Sequence, residues 1–167
     1  MKEKIYRKYL EIKSLEDFKE VKNPKENYSV DLVTPKDFQL NKFFYKNVGK
    51  NYHWTDRLAW TNEKWIGYVS NKNLLTYTLR DKTEFAGFFE LILHQDIKEI
   101  EIAYFGVLEE YFGKKLGGYL LSEAIKISFS MGFMRLWAHT CSLDHENALK
   151  NYLARGMKIF KSEELII

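Results

Sequence analysis

The sequence predicts an α+β fold with α/β/α layering, in which helices flank a mixed, mostly antiparallel sheet. Three observations carry that expectation. Three strand-like runs, 74–80, 85–93 and 99–108, follow one another with only short polar breaks, the pattern of antiparallel neighbours. After residue 108 the pattern changes to glycine-bearing loop, amphipathic helix, strand, helix, strand, which makes the sheet mixed. Both prolines, Pro24 and Pro35, fall in the first quarter of the chain, so nothing interrupts long elements beyond Lys36.

Taken in order, Tyr6 to Ile12 reads as an edge strand within an N-terminal extension, residues 1–27, packed on a core that starts near Tyr28. Tyr28 to Leu32 alternates as a short strand does, and Thr34-Pro35 predicts a helix start, with Thr as N-cap and Pro at the first helical position. That helix runs to Val48, where Gly49 stops it. Trp54, Trp60 and Trp65, with Arg57 among them, either line a pocket or pack the core. Asp81 to Glu84 suits a hairpin turn between the first two of the three strands. Tyr119 to Met131 places Leu120, Leu121, Ala124, Ile125, Ser128 and Phe129 at helical spacing, and Gly132 closes the helix. Arg135 to Thr140 is a strand, Ser142 or Asp144 caps a helix to Arg155, Gly156 ends it, and 157–161 and 165–167 finish as strands.

Composition removes several function classes. At 167 residues the chain fits a single domain spanning 1–167, which on folding buries about 70% of the surface exposed when unfolded. The single cysteine excludes an internal disulfide, and the His and Cys residues lack zinc-site spacing, so no metal is expected. Charges interrupt the first twenty residues, and no later apolar run approaches membrane-spanning length, which predicts a soluble, cytoplasmic protein without a membrane partner. The net charge of +3 is spread along the chain rather than blocked, so no nucleic-acid partner is expected.

The loop YFGKKLGG, between a strand and a helix, has the makings of an anion site. The first N–H groups of a helix lack internal partners, and the helix dipole adds positive potential there. Gly113, Gly117 and Gly118 permit close backbone approach, and Lys114 and Lys115 add charge. The same pattern also fits a plain tight turn, and G-x-G-x-x-G is absent, which argues against a dinucleotide fingerprint.

Over its last 70 or so residues the sequence resembles the GNAT superfamily of N-acetyltransferases. The family pattern Gln/Arg-x-x-Gly-x-Gly/Ala falls on Phe112-Gly113-Lys114-Lys115-Leu116-Gly117, where Gly117 matches and Phe112 and Lys115 depart. A second pattern, N-A-x-x-x-Y-x-x-x-G-F, falls on residues 147–157, where Asn147, Ala148, Tyr152 and Gly156 match and Met157 departs. The resemblance implies an acetyl-CoA-dependent transferase acting on a primary amine of a small molecule or protein by direct attack in a ternary complex, and a homodimer is common in the family. It implies that backbone amides of Phe112, Gly113, Lys114, Lys115, Leu116, Gly117 and Gly118 hold the pyrophosphate. It also implies that backbone at Val107 and Leu108 pairs with the pantetheine arm and polarises the thioester, and that Asn147 meets the CoA chain. The departures at Phe112 and Lys115 leave an alternative, a catalytically silent CoA-binding or regulatory module.

Acetyl transfer needs an acid for the thiolate and a base for the ammonium. The resemblance makes Tyr152 the acid; a phenol with a reference pKa of about 10 is protonated at neutral pH. The resemblance makes Glu101 one candidate base, since histone-type members of the family place theirs at this spacing, eleven residues before Phe112; Glu90, in the apolar run FAGFFELIL, is its rival, and the remaining option is no side-chain base, with water taking the proton. His139 and Cys141 share a strand face at i and i+2, but covalent catalysis also needs a site that stabilises the thiolate.

Overall fold

The structure, a computed structural model, describes residues 2–166. The strands are β1 (Lys4–Ile12), β2 (Tyr28–Leu32), β3 (Leu74–Asp81), β4 (Glu84–His94), β5 (Glu99–Val107), β6 (Arg135–Cys141) and β7 (Lys158–Ile166). The helices are α1 (Phe38–Gly49), α2 (Asn62–Val69), α3 (Leu116–Ser130) and α4 (Asn147–Ala154). The seven strands form one sheet in the order β2-β3-β4-β5-β6-β1-β7. Every pairing is antiparallel except β5 with β6, so the expected mixed, mostly antiparallel sheet flanked by helices is what the chain forms.

Two glycines show which helix covers which face. Phe88 and Gly106 are cross-strand partners, and a Cβ on Gly106 would run into Val48 of α1. Gly87, one residue earlier and so on the opposite face, would point a Cβ at Leu120 of α3, 3.5 Å away. α1 and α3 therefore sandwich β4 and β5. Phe44 of α1 stacks on Phe88 at 4.9 Å, and Leu120, Leu121, Ala124 and Ile125 of α3 are fully buried. Burial on this scale contributes about 1.5–3 kcal/mol per large apolar side chain, which makes these contacts the main force that seats the helices.

Several local expectations change. The first helix starts at Phe38 with Asp37 as N-cap, its carboxylate accepting from the Gln39 N–H at 3.0 Å, rather than at Thr34-Pro35. α2, capped by the Thr61 hydroxyl, was not distinguished in the sequence because Trp65 and Val69 are its only buried residues. Neither Ser142 nor Asp144 caps α4. Asp144 instead accepts from the Thr140 hydroxyl and the Cys141 N–H, at 2.7 and 2.9 Å, and Ser142 accepts from the Tyr6 N–H. The two short C-terminal strands are one continuous β7.

The N-terminal strand differs most. β1 lies between β6 and β7 and pairs with both, so it is an interior strand rather than an edge, and Leu10 and Ile12 belong to the main core. The following segment, 14–21, crosses α3 and α4. The Val21 N–H donates to Ser122 Oγ at 2.8 Å, and Lys19 and Arg155 exchange backbone and side-chain bonds at 3.0 and 2.9 Å.

Candidate functional site

The site begins with a defect in the sheet. Between β4 and β5, Glu90 faces Tyr104 and Leu91 faces Ile102, which leaves Ala103 as an extra residue on β5. Such a bulge bends the strand that carries it. β5 consequently pairs with β6 only at Glu99–Arg135, Ile100–Leu136 and Glu101–Trp137, although β5 continues to Val107 and β6 to Cys141. Past these pairs the two parallel strands diverge, and a cavity of about 1180 Å3 opens between them. It runs from the start of α3 at one end to Arg7, Arg57 and Glu101 at the other.

At the α3 end the chain turns left-handed at Gly113 (φ 80°) and again at Lys115 (φ 62°), the residue that caps the helix without a side-chain bond. Alternating backbone handedness of this kind points successive N–H groups into one concavity. No partner is recorded among the described residues for the N–H groups of Gly113, Lys114 and Lys115, and those of Leu116, Gly117 and Gly118 are first-turn donors without an i−4 carbonyl. A Cβ at Gly113 would meet nothing within 4 Å, so the concavity is open on that side. Lys115 keeps the left-handed geometry that the family pattern assigns to glycine, at a cost of about 1–2 kcal/mol for a residue with a Cβ. Six backbone donors and the Lys115 charge fit a diphosphate.

Not every expected residue contributes as read from the sequence. The Phe112 N–H donates to the Glu109 carbonyl at 3.1 Å within the short 3-10 turn over Glu109–Tyr111, and the Leu108 N–H donates across to the Ala86 carbonyl of β4 at 2.8 Å, so neither amide is free. The Lys114 ammonium turns from the cavity to lie over the Tyr111 ring, 5.7 Å from its centre. Gly118 is small for a different reason: a Cβ there would press on Arg155 and Val21, 2.5 and 3.0 Å away, so the glycine admits the N-terminal segment against α3. Val107, Phe112, Gly113, Lys115, Leu116, Gly117, Gly118 and Asn147 all line the cavity. Asn151, which the sequence did not single out, ties α4 to the start of α3 through a 3.0 Å bond from its amide to the Gly117 carbonyl.

Tyr152 projects from α4 into the same cavity, 7% exposed, with its ring 6.4 Å from that of Phe105. Burial, reinforced by the negative charge of Asp144, pushes its hydroxyl well above the usual phenol range. A hydroxyl so placed stays protonated across the physiological range.

The two carboxylates separate cleanly. Glu90 is fully buried and does not line the cavity. It accepts from Asn41 Nδ2 at 2.9 Å and the Tyr68 hydroxyl at 2.7 Å, and pairs with Arg57 Nη1 at 3.1 Å. The Arg57 guanidinium is ringed by Tyr45, Trp60, Trp65, Tyr68 and Tyr104, with centroids 4.2 to 5.5 Å from Cζ. Burial alone would lower Arg57, but Glu90, Tyr68 and Tyr104 outweigh it and hold the guanidinium more firmly charged than usual. Glu90 is thus the counter-ion of a buried arginine. Its predicted role as a base is corrected on that ground: its oxygens face Arg57, Asn41 and Tyr68 instead of the cavity. Glu101, 20% exposed, does line the cavity, and its Oε1 meets His94 Nε2 at 3.1 Å.

The tryptophans divide likewise. Trp60 and Trp65 pack around Arg57, whereas Trp54 lines the cavity and packs edge-on against Tyr104 at 4.7 Å. His139 and Cys141 both line the cavity, but burial pushes the Cys141 thiol up, and burial together with Arg7 pushes the His139 imidazole down. A protonated thiol beside a neutral imidazole is no activated nucleophile pair. Among the described residues no cluster of His, Cys, Asp and Glu has the geometry to hold a metal ion, and no helix is long and apolar enough to cross a membrane.

Known structures share this architecture. A GCN5-related N-acetyltransferase from Sphaerobacter thermophilus superposes with a TM-score of 0.71 at 15% identity, over 97% of this chain and 50% of that one. An IAA acetyltransferase from Bacillus cereus gives 0.58 at 20% identity, over 80% and 79% of the two chains. An aminoglycoside acetyltransferase from an uncultured soil metagenomic sample gives 0.66 at 12% identity, over 80% and 90%. These likenesses speak to the fold, and the chain spans about half the length of the first of these structures. No curated protein is similar enough in sequence to count as a match. Residues 36–157 match the family model described as the acetyltransferase (GNAT) family. That span holds the bulged β5, the diverging strands, the open amides at α3 and Tyr152, and the chain belongs to the acetyltransferase (GNAT) family.

Proposed function

We propose that the protein is an N-acetyltransferase that binds acetyl-CoA in the cavity between β5 and β6 and passes the acetyl group to a primary amine by direct attack, the described chain acting as one domain. The observation that carries this reading is that Gly113 and Lys115 to Gly118, with their open amides, and Tyr152 line one continuous cavity. The amides and Lys115 hold the diphosphate. The unpaired edge of β5 toward Val107 takes the pantetheine arm by strand addition. When bound, the thioester supplies an acyl carbon activated for attack by nitrogen.

An alkylammonium has a pKa of about 10.4, so the acceptor must lose a proton before it attacks. Glu101 is the base in this reading: of the two strand carboxylates singled out in the sequence it is the one that lines the cavity and carries no arginine or lysine partner, whereas Glu90 is committed to Arg57. As the carbon–sulfur bond breaks, Tyr152 donates its proton to the departing thiolate and regains one, through solvent, from the second N–H proton that the newly acylated nitrogen sheds; general acid help of this kind is worth about 10²–10⁴-fold. Trp54, Tyr104, Arg7 and His139 line the far end, where the acceptor amine sits.

The test is release of free thiol from acetyl-CoA in the presence of a panel of amines, alongside calorimetry of CoA binding. Amine-dependent thiol release abolished by Glu101→Gln supports the proposal. Binding without turnover would favour the silent CoA-binding module, and absence of binding would sink both readings.

A further inference from the structure

We propose that His94 is a relay that carries the proton from Glu101 out to solvent; this rests on the reading of Glu101 as the base. The two residues are diagonal neighbours on one face of the sheet, since Ile92 faces Glu101 and His94 faces Glu99 across β4 and β5. Glu101 lines the cavity, and His94, 35% exposed, lies outside it, with Nε2 3.1 Å from Glu101 Oε1. The pair therefore spans the wall between the reacting amine and bulk water. A base enclosed in a cleft that binds its substrate must shed one proton each turnover, and this contact is the route the geometry provides.

The surrounding groups leave His94 as the partner of Glu101. Arg135, whose β6 position pairs with Glu99 on this face, is occupied by Glu11 at 2.8 Å and Glu99 at 2.6 Å. His139 and Arg7 line the cavity with Glu101, and Arg7 is engaged by Glu163 at 3.5 Å. The His94 ring lies near-parallel to Trp137, 6.1 Å between centroids and 20° between planes. Trp137 is in turn the β6 partner of Glu101, so the indole fixes the ring with its edge toward the carboxylate.

In one turnover the acceptor N–H bond breaks and its proton goes to a Glu101 oxygen. The resulting acid O–H gives the proton to His94 Nε2, and the imidazolium gives its Nδ1 proton to water, which returns Glu101 to the carboxylate. The half-exposed ring regains its starting tautomer by exchange with solvent. No oxidant or further co-reactant is needed.

His94→Gln keeps a side-chain amide at hydrogen-bond reach of Glu101 but cannot carry a proton, and His94→Ala leaves room for a free imidazole. Both variants are expected to lose at least about tenfold in kcat in dilute buffer, at the low end of the range for proton transfer by a placed side chain. Acetyl-CoA affinity by calorimetry and the thermal midpoint are expected to be unchanged, and millimolar imidazole is expected to restore His94→Ala and leave the wild type unaffected. A loss that imidazole does not rescue, or no loss at all in variants of an active enzyme, overturns the relay and leaves the proposed reaction standing. If the wild type itself releases no thiol with any amine, both fall together.

Discussion

Replacing Glu90 with leucine removes the one carboxylate beside a guanidinium that five aromatic rings enclose. Glu90 is fully buried and the Arg57 side chain is 7% exposed, so solvent cannot take over the lost charge. Removing one partner of a buried pair costs about 3–5 kcal/mol, because the other charge stays desolvated. The Asn41 amide and the Tyr68 hydroxyl lose their acceptor at the same time. Against a typical total stability of about 5–15 kcal/mol, this is a large fraction. With a urea m-value of about 2 kcal/mol/M, the unfolding midpoint should fall by roughly 2 M. The double variant Glu90→Leu/Arg57→Met removes both charges and should recover most of the loss, since apolar replacement of a whole buried pair is often neutral. Equilibrium urea unfolding followed by tryptophan fluorescence reads both effects. A midpoint shift below about 0.5 M for Glu90→Leu, or a double variant no more stable than the single, would refute the assignment of Glu90 as a structural counter-ion.

Tyr152→Phe should lower kcat at least tenfold with CoA affinity retained, on the scale of general acid catalysis, and steady-state thiol release with parallel calorimetry checks it. Because burial raises the Tyr152 hydroxyl above its ordinary value, the acid is present at all lower pH, so the pH–rate profile should show no fall attributable to it up to about pH 10; a fall below that pH that Tyr152→Phe abolishes would contradict this. Gly156→Ala should cost about 1–3 kcal/mol or more, since Gly156 sits at φ 100° and a Cβ would collide with the Asp17 backbone; thermal denaturation reads the loss. Lys115→Gly should leave folding stability unchanged or raise it slightly, because relief of about 1–2 kcal/mol of left-handed strain offsets glycine's entropy of about 0.5–1 kcal/mol, and a clear loss by the same measurement would show that the lysine side chain holds the loop.

Much of the local structure was legible. Tyr28–Leu32 stands where alternation placed it, the strands 74–81 and 84–94 extend their sequence runs by one residue at one or both ends, and 99–107 stops one residue short of its run. The start of α3 lies three residues ahead of the apolar pattern because Leu116 and the two glycines form its first turn. Helix starts were the weak point, since both caps depend on which backbone groups the fold leaves free: Asp37 took the role expected of Thr34, and Asp144 was drawn to Thr140 and Cys141. β1 read as an edge because nothing in KIYRKYLEI tells which strands will flank it.

By itself the sequence determined what short-range rules encode: the alternation of strands and helices, the glycine loop that opens α3, and the spacing that sets Tyr152 on the next helix. Only the tertiary structure gave the two carboxylates different surroundings. Glu90 and Glu101 lie on the same face of neighbouring strands, and local alternation gives them equal standing. What separates them is Asn41 and Arg57, 49 and 33 residues from Glu90 in the chain, which α1 and the following loop bring down over it, while Glu101 lies where the strands diverge. Burial and ion pairing are set by distant elements, so the protonation chemistry of a side chain is a property of its neighbours in space rather than in sequence.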